Sequence, residues 1–339
     1  MDHGRPNLRD VAAHANVSIA TVSHVLNGTR LVSTATKEKV LQAVEELRYF
    51  RNESARQLRV GTSELLGVLI VDYNPFFMDI LHGVEKMATK QGWKLLVAST
   101  GEDWEAQKEL LNALISRRVE GILLAPVVGA TKHELQRYAK GDIPLVFIDR
   151  IVEGCGIPAV TSTNVYGAQL AVEHLIDHGY RKIGVILGSL SISSMVERKK
   201  GYERALNNAR IDIQSECMKV CNALSSGGYQ AINQLLADVS DLEAVFVTNN
   251  LMLLGVLKAI QERSLRIPED IAVVAVDFQP WVELIKPSIT LVSQPAEKIG
   301  EMAVNLLMVQ RNREPVAEMM MKTELIIGES CGCRKSPVL

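Results

Sequence analysis

The sequence predicts a small all-α head followed by a larger α/β core built as two doubly wound parallel-sheet lobes. Three observations carry that expectation. The 339 residues exceed the roughly 250 to 300 at which a single core stops growing, so more than one packing unit is needed. The first sixty residues show helical periodicity and no strand-like run. From residue 65 onward, short β-branched runs alternate with amphipathic helical segments, the pattern of parallel sheets covered on both faces. A composition of 47% apolar and 22% charged residues supplies enough core material and excludes collagen-like or disordered classes.

In the head, Leu8, Val11, Ala12 and Ala15 fall at i, i+3, i+4 and i+7, one face of a helix that ends near Asn16. Ser18 is a natural N-cap for a second helix with an apolar face of Val22, Val25 and Leu26, and Asn27-Gly28 is its stop signal. Only two residues are expected between these helices, which makes a tight helix-turn-helix. Ser33 caps a third helix whose stripe is Val40, Leu41, Val44 and Leu47. The outer face of the second helix, Ile19, Ala20, Thr21, Ser23 and His24, carries no Lys, Glu or Asp, unlike ordinary helix surface. Hydroxyls donate to phosphates, methyls meet thymine methyls and an imidazole bonds purine N7 or O6, so such a face suits the DNA major groove. Charge agrees: residues 1–63 hold nine Lys/Arg against six acids, a net +3, leaving −5 for the remainder of a chain whose total is −2.

The string LRDVAAHANVSIATVSHVLNGTRLVS resembles the DNA-binding domain of the LacI/GalR family of bacterial repressors. The resemblance implies base contacts from Ile19, Ala20 and His24, and phosphate or groove-edge contacts from Ser18, Thr21, Ser23, Asn27 and Arg30. Residues 51–63 are polar apart from Ala55, Leu58 and Val60 and read as a linker; by resemblance they form a hinge helix whose Leu58 wedges into the minor groove. The core resembles the periplasmic-binding-protein-like type I domain of the same family through NPFF at residues 74–77, R-x-x-G-Y at 198–202, the Pro287–Pro295 stretch and the ESCGC near the end. Implied boundaries are 1–50 for the head, 51–63 for the hinge and 64–339 for an effector-binding and dimerisation core. Lobe one takes about 64–162 plus 291–322, and lobe two about 163–290 plus 323–339.

Seven strands are expected in that core, from LLGVLIV, LLVAS, GILLA, LVFID, IGVIL, AVFVT and IAVVAV. Ligands of open α/β sheets bind beyond the carboxyl ends of the strands, where this chain places Asp72, Asn74, Phe76, Phe77, Thr100, Asp149, Arg150, Ser189, Asn249, Asn250 and Asp277. Carboxylates and amides pair with vicinal hydroxyls and rings stack on apolar sugar faces, so a sugar or related metabolite is the expected effector. The candidate effector residues are Asn74, Phe76, Phe77 and Asp149 in lobe one, and Arg198, Asn249, Asp277 and Trp281 in lobe two; the resemblance supports Arg198, Asn249 and Asp277 in particular. Departures from the family pattern at Asn250, Ala275 and Gln279 leave the effector's chemistry open, and a purine or nucleoside corepressor stays an alternative.

No nucleophile, phosphate-loop or dinucleotide motif is present, so an enzyme is not expected, and neither is a cofactor. Five cysteines without C-x-x-C spacing suggest reduced thiols; His174 and His178 share a helix face but have no third ligand in view, and no metal site is expected. A secretory start and membrane-length apolar runs are missing, so a cytoplasmic protein is expected rather than an exported two-lobed solute-binding protein. Without leucine heptads after Cys333, the expected assembly is a homodimer on a palindromic operator in double-stranded DNA.

Overall fold

A computed structural model describes residues 6–49, 63–277, 280–312 and 318–333. The chain divides into two compact units, Met1–Thr62 and Ser63–Leu339. The expected hinge helix and its Leu58 lie outside the described residues. Among the described residues, no helix is long and apolar enough to cross a membrane.

In the first unit, α1 (Leu8–His14), α2 (Ile19–Asn27) and α3 (Thr34–Glu46) enclose one core of Val11, Ala12, Ala15, Val22, Val40, Ala43 and Tyr49. Each helix begins on a side-chain cap, because its first N–H groups have no partner within the helix. Asn7 and Asp10 form a reciprocal capping box on α1, Ser18 accepts from Thr21 N, and Ser33 accepts from Thr36 N. Gly28 ends α2 with φ +63°, a left-handed conformation that a Cβ disfavours. Two expectations need correction. Four residues, not two, separate α1 from α2, because α1 stops at His14 and Asn16 turns the chain with φ +52°. In α3, Val40, Val44 and Leu47 face the core as expected, but Ala43 is buried in place of Leu41, which is 46% exposed.

The second unit holds two six-stranded sheets. In lobe one, β1 (Leu65–Ile70), β2 (Lys94–Ser99), β3 (Gly121–Leu124), β4 (Leu145–Ile148), β5 (Ala159–Ser162) and β11 (Met319–Met321) lie in the order β11-β5-β4-β3-β1-β2, all parallel. Helices α4 (Pro75–Lys90), α5 (Trp104–Ser116) and α6 (Lys132–Ala139) connect them, and α11 (Ala296–Arg311) packs beside α4. In lobe two, β6 (Ile183–Leu187), β7 (Met218–Val220), β8 (Ala244–Val247), β9 (Ala272–Val276), β10 (Thr290–Ser293) and β12 (Glu324–Ile326) lie in the order β12-β10-β9-β8-β6-β7, with only β12 antiparallel. Its helices are α7 (Asn164–Asp177), α8 (Ser193–Asn208), α9 (Ser225–Asp238) and α10 (Asn250–Glu262).

Both sheets bury apolar residues on two faces, which is why their central strands read as continuous β-branched runs rather than alternating ones. The same order of strands in each lobe puts the switch in winding direction between β1 and β3 in one and between β6 and β8 in the other. Five strands, β5, β7, β10, β11 and β12, are additional to the seven expected. Because β10 pairs with β9, lobe two extends to Ser293 and the chain returns to lobe one just before α11, not at residue 291.

Three chain crossings join the lobes, and two are tied together: Thr163 Oγ1 lies 3.0 Å from Thr323 Oγ1, Thr323 N donates to Thr163 Oγ1 (3.0 Å), and Thr163 N donates to Met321 O (2.9 Å).

Candidate functional site

The second helix of the head presents the face expected to meet DNA. Ile19 is 45% exposed and Ala20, Asn27 and Arg30 are exposed, while Thr21, Ser23 and His24 are half-buried. Local bonds hold these groups: Ser18 Oγ contacts Thr21 Oγ1 (2.8 Å), Asn27 Nδ2 donates to Ser23 O (2.6 Å), and His24 Nδ1 meets Thr29 Oγ1 (2.9 Å). The last contact commits Nδ1 and leaves Nε2 as the imidazole's outward nitrogen. Thr29 was not singled out in the sequence; its place one residue past the Gly28 cap is the signal that could have found it. Behind this surface, His14 Nε2 bonds Glu46 Oε2 (2.6 Å), tying α1 to α3. That bond, with one from Gln42, holds the Glu46 carboxyl below its usual range.

In the core, Asp149 and Asp277 follow β4 and β9, the third strand from the same edge in each sheet. Both are buried, with φ +66° and +72°. Arg198, on the inner face of α8, is also buried; its Nε donates to Asn164 Oδ1 (2.9 Å) and its Nη1 to Thr248 O (2.7 Å). Burial raises the pKa of both aspartates, Asp277 to about 6, and the positive charge of Arg198 opposes that rise in each; Arg150 opposes it more strongly in Asp149. Three of the expected residues, from two lobes, therefore share one electrostatic environment.

Their supports were not all foreseen. Gln294 Nε2 donates to Asp277 Oδ1 (2.6 Å), from within the Pro287–Pro295 stretch that could have pointed to it. Arg150 is held between Asp149 (3.3 Å) and both oxygens of Glu102 (3.0 and 2.9 Å). Asn164 links Arg198 to Glu197, whose carboxyl burial raises in pKa.

The remaining expected residues are placed less simply. Asn74 caps α4 by accepting from Phe77 N (3.3 Å), and donates to Asp72 (2.5 Å). Phe76 and Phe77 are buried in the lobe-one core, ring centroids 5.5 Å apart and edge to face, so little of either ring is open for stacking. Asn249 caps α10, its Oδ1 accepting from Leu251 N and Met252 N; the neighbouring Asn250 amide is buried with neither atom bonded. Trp281 is half-buried against the lobe-two core.

A cavity of about 270 Å³ opens between the lobes, just below the roughly 300 Å³ at which small-molecule pockets begin. Val127, Ala130, Arg150 and Val152 line it from one lobe, and Ile192, Ser193, Glu197 and Lys200 from the other. Ile151 N donates to Ser193 Oγ (2.9 Å) across the same gap.

The folding of lobe two changes one part of the sequence reading, that no third ligand accompanies His174 and His178. His174 and His178 do have further candidate ligands: Cys331 and Cys333 place all four side-chain ligand atoms within 4.8 Å of one another. The thiols come from about 155 residues away, and a C-x-C spacing was not read as half of a site.

Comparison with known proteins follows this division. Residues 7–52 match the bacterial regulatory proteins, lacI family, and residues 172–331 match the periplasmic binding protein-like domain. The HTH-type transcriptional repressor PurR of Vibrio atlanticus is 36% identical over 304 residues, covering 89% of this chain and 90% of that protein. The ribose operon repressor of Haemophilus influenzae is 33% identical over 309 residues, covering 91% and 92%. A solved structure of the lac repressor dimer bound to operator and the anti-inducer ONPF superposes with a TM-score of 0.83 at 27% identity, covering 97% of this chain and 99% of that one.

Proposed function

Because the chain belongs to the lacI family of bacterial regulatory proteins, and is therefore a non-enzymatic DNA-binding repressor with an effector-binding domain, we propose that its effector is a small polyhydroxylated metabolite of the sugar class held between Asp149, Arg198 and Asp277. The observation that carries this is the placement of buried Arg198 within electrostatic range of one buried carboxylate from each lobe. Ionised carboxylates accept from vicinal hydroxyls and the guanidinium donates to a ring or hydroxyl oxygen, while the interlobe cavity is lined by their chain neighbours Arg150 and Glu197. A ligand gripped from both sides binds the closed arrangement better, and only such differential affinity shifts a lobe equilibrium. The Thr163–Thr323 tie at the crossings gives that motion a pivot.

In this reading residues 1–50 are the head, 51–63 the hinge and 64–339 the core. Two heads of a homodimer read a palindromic operator through Ile19, Ala20 and His24, with Ser18, Thr21, Ser23, Asn27 and Arg30 on phosphates or the groove edge and Leu58 as the minor-groove wedge. Support comes from the exposed, carboxylate-free outer face of α2 and from the ribose operon repressor among the relatives. A purine or nucleoside is the second reading, supported by the repressor PurR among the relatives.

The test is a thermal-shift screen of the full chain with sugars, sugar phosphates, nucleosides and purines, followed by operator binding with each hit. A sugar that stabilises the protein and changes operator affinity supports the first reading. A response to purines alone transfers the site to the second.

A further inference from the structure

We propose that His174, His178, Cys331 and Cys333 form a structural metal site for a borderline-soft divalent cation, Zn²⁺ above others, that clamps the C-terminal Cys-Gly-Cys segment onto α7. The proposal rests on the juxtaposition of four ligand side chains from two segments far apart in the chain.

The chemistry of the set is Cys₂His₂, the combination that zinc takes in closed, four-coordinate sites. With metal–sulfur bonds of about 2.3 Å and metal–nitrogen bonds of about 2.0 Å, the ligand atoms of a tetrahedron stand roughly 3.3 to 3.8 Å apart. Here His174 Nε2 is 3.1 Å from Cys331 Sγ and 3.6 Å from Cys333 Sγ, and His178 Nε2 is 3.0 Å from Cys333 Sγ. These three distances lie within about 0.5 Å of that spacing, and all four ligand atoms lie within 4.8 Å of one another.

Local structure aims the ligands. Spacing of i, i+4 sets both imidazoles on one face of the α7 C-terminal turn, with ring centroids 4.5 Å apart. His178 Nδ1 lies 2.8 Å from His174 O, so Nδ1 carries the proton and the Nε2 lone pair points at the cluster. On the other side, Thr290 Oγ1 donates to Cys331 Sγ (3.0 Å), which orients that sulfur and stabilises it as a thiolate. Gly332 between the cysteines has φ +95°, and this turn brings both sulfurs to the same side.

Burial is graded, Cys331 being fully buried and His178 exposed, so the ion has an entry path from solvent. Four protein ligands leave no open position, which makes the role structural rather than catalytic. No cluster residue lines the interlobe cavity, so the site is separate from the effector cleft. Its two halves lie on segments that each follow a lobe crossing, α7 after Ser162 and the C-terminal segment after Met321.

The test uses full-length protein purified under reducing, chelator-free conditions. Titration with Zn²⁺ alone is expected to leave one ion per chain by mass-spectrometric metal analysis and to raise the melting temperature by several degrees. Titration with Co²⁺ is expected to produce the visible d–d and sulfur-to-cobalt bands of a tetrahedral thiolate site. Cys333→Ser and His178→Ala should each lose the bands and the thermal shift, while Cys155→Ser keeps both. Since His178 is exposed, His178→Ala, with its fold checked by circular dichroism, carries the test if the cysteine variant does not fold. Wild-type Co²⁺ spectra in folded His178→Ala, substoichiometric zinc with all thiols titratable, or a Cys331–Cys333 disulfide in place of the ion would each overturn the proposal.

Discussion

Asp149 and Asp277 are structural counterparts: each is a buried aspartate in the left-handed backbone region at the carboxyl end of the corresponding strand of its lobe, and each feels the charge of Arg198. Left-handed backbone is disfavoured for side chains with a Cβ, and Asp tolerates it better than most because its short carboxylate bonds locally. Holding two buried carboxylates this way opposes stability, and that strain is the expected signature of a ligand-facing position.

The first prediction is a pH dependence. Asp277 has a folded pKa of about 6, above the roughly 3.9 of an unfolded aspartate, so its contribution to stability is fully present below about pH 4 and is lost as pH rises through 6. Asp277→Asn should flatten the stability–pH profile of the core in that window. A ligand hydroxyl that donates to the carboxylate favours its ionised form, so effector affinity should rise between about pH 5 and pH 7 in the wild type and not in the variant. Isothermal titration at both pH values, beside urea unfolding, checks each half.

Arg198→Ala should do two things. It leaves Asn164 Oδ1 and Thr248 O without their donor, costing about 1 to 3 kcal/mol of core stability by urea melts. It also removes the cation facing both aspartates, so the effector-induced thermal shift should vanish while operator binding without ligand survives. Survival of the shift at wild-type effector concentrations would show that the cleft has been misplaced.

His24→Ala removes the one strong hydrogen-bonding side chain among the proposed base contacts. The expected loss is about 1 to 3 kcal/mol on cognate operator and close to nothing on random DNA. Equal losses on both, measured by fluorescence anisotropy at fixed salt, would make it a phosphate contact.

Leu58→Ala tests the wedge. Reduced bending in a circular-permutation gel assay, together with weaker operator binding, is the expected result. Affinity lost without any change in bending would mean that Leu58 acts elsewhere.

Gly300→Ala addresses packing. Helix propensity favours alanine by about 1 kcal/mol, but a Cβ at this position would lie 2.0 Å from Ile80 O, a backbone atom that no rotamer change can move. Overpacking costs of about 1 to 3 kcal/mol should win, lowering the urea midpoint of the core.

What was legible in the sequence was local. Ser18 and Ser33 capped the helices they were expected to cap, since a cap is chemistry between residues three apart. The seven longer β-branched runs became strands because burial on both sheet faces writes itself into composition. Asp149 and Asp277 were found as strand-end residues by the same reasoning. Three-residue strands such as β7, β11 and β12 carry too few side chains to show a period, and only their neighbours in the sheet make them strands. Asn249 looked like a ligand contact, and local bonds spend its oxygen on the α10 cap, while the tertiary structure buries Asn250 beside it. His174 and His178 stood four apart in plain view, yet Cys331 and Cys333 reach them only because β12 returns the chain to lobe two. Sequence periodicity reports which face of an element is buried; which distant element covers that face, and so which side chains meet there, is decided by topology alone.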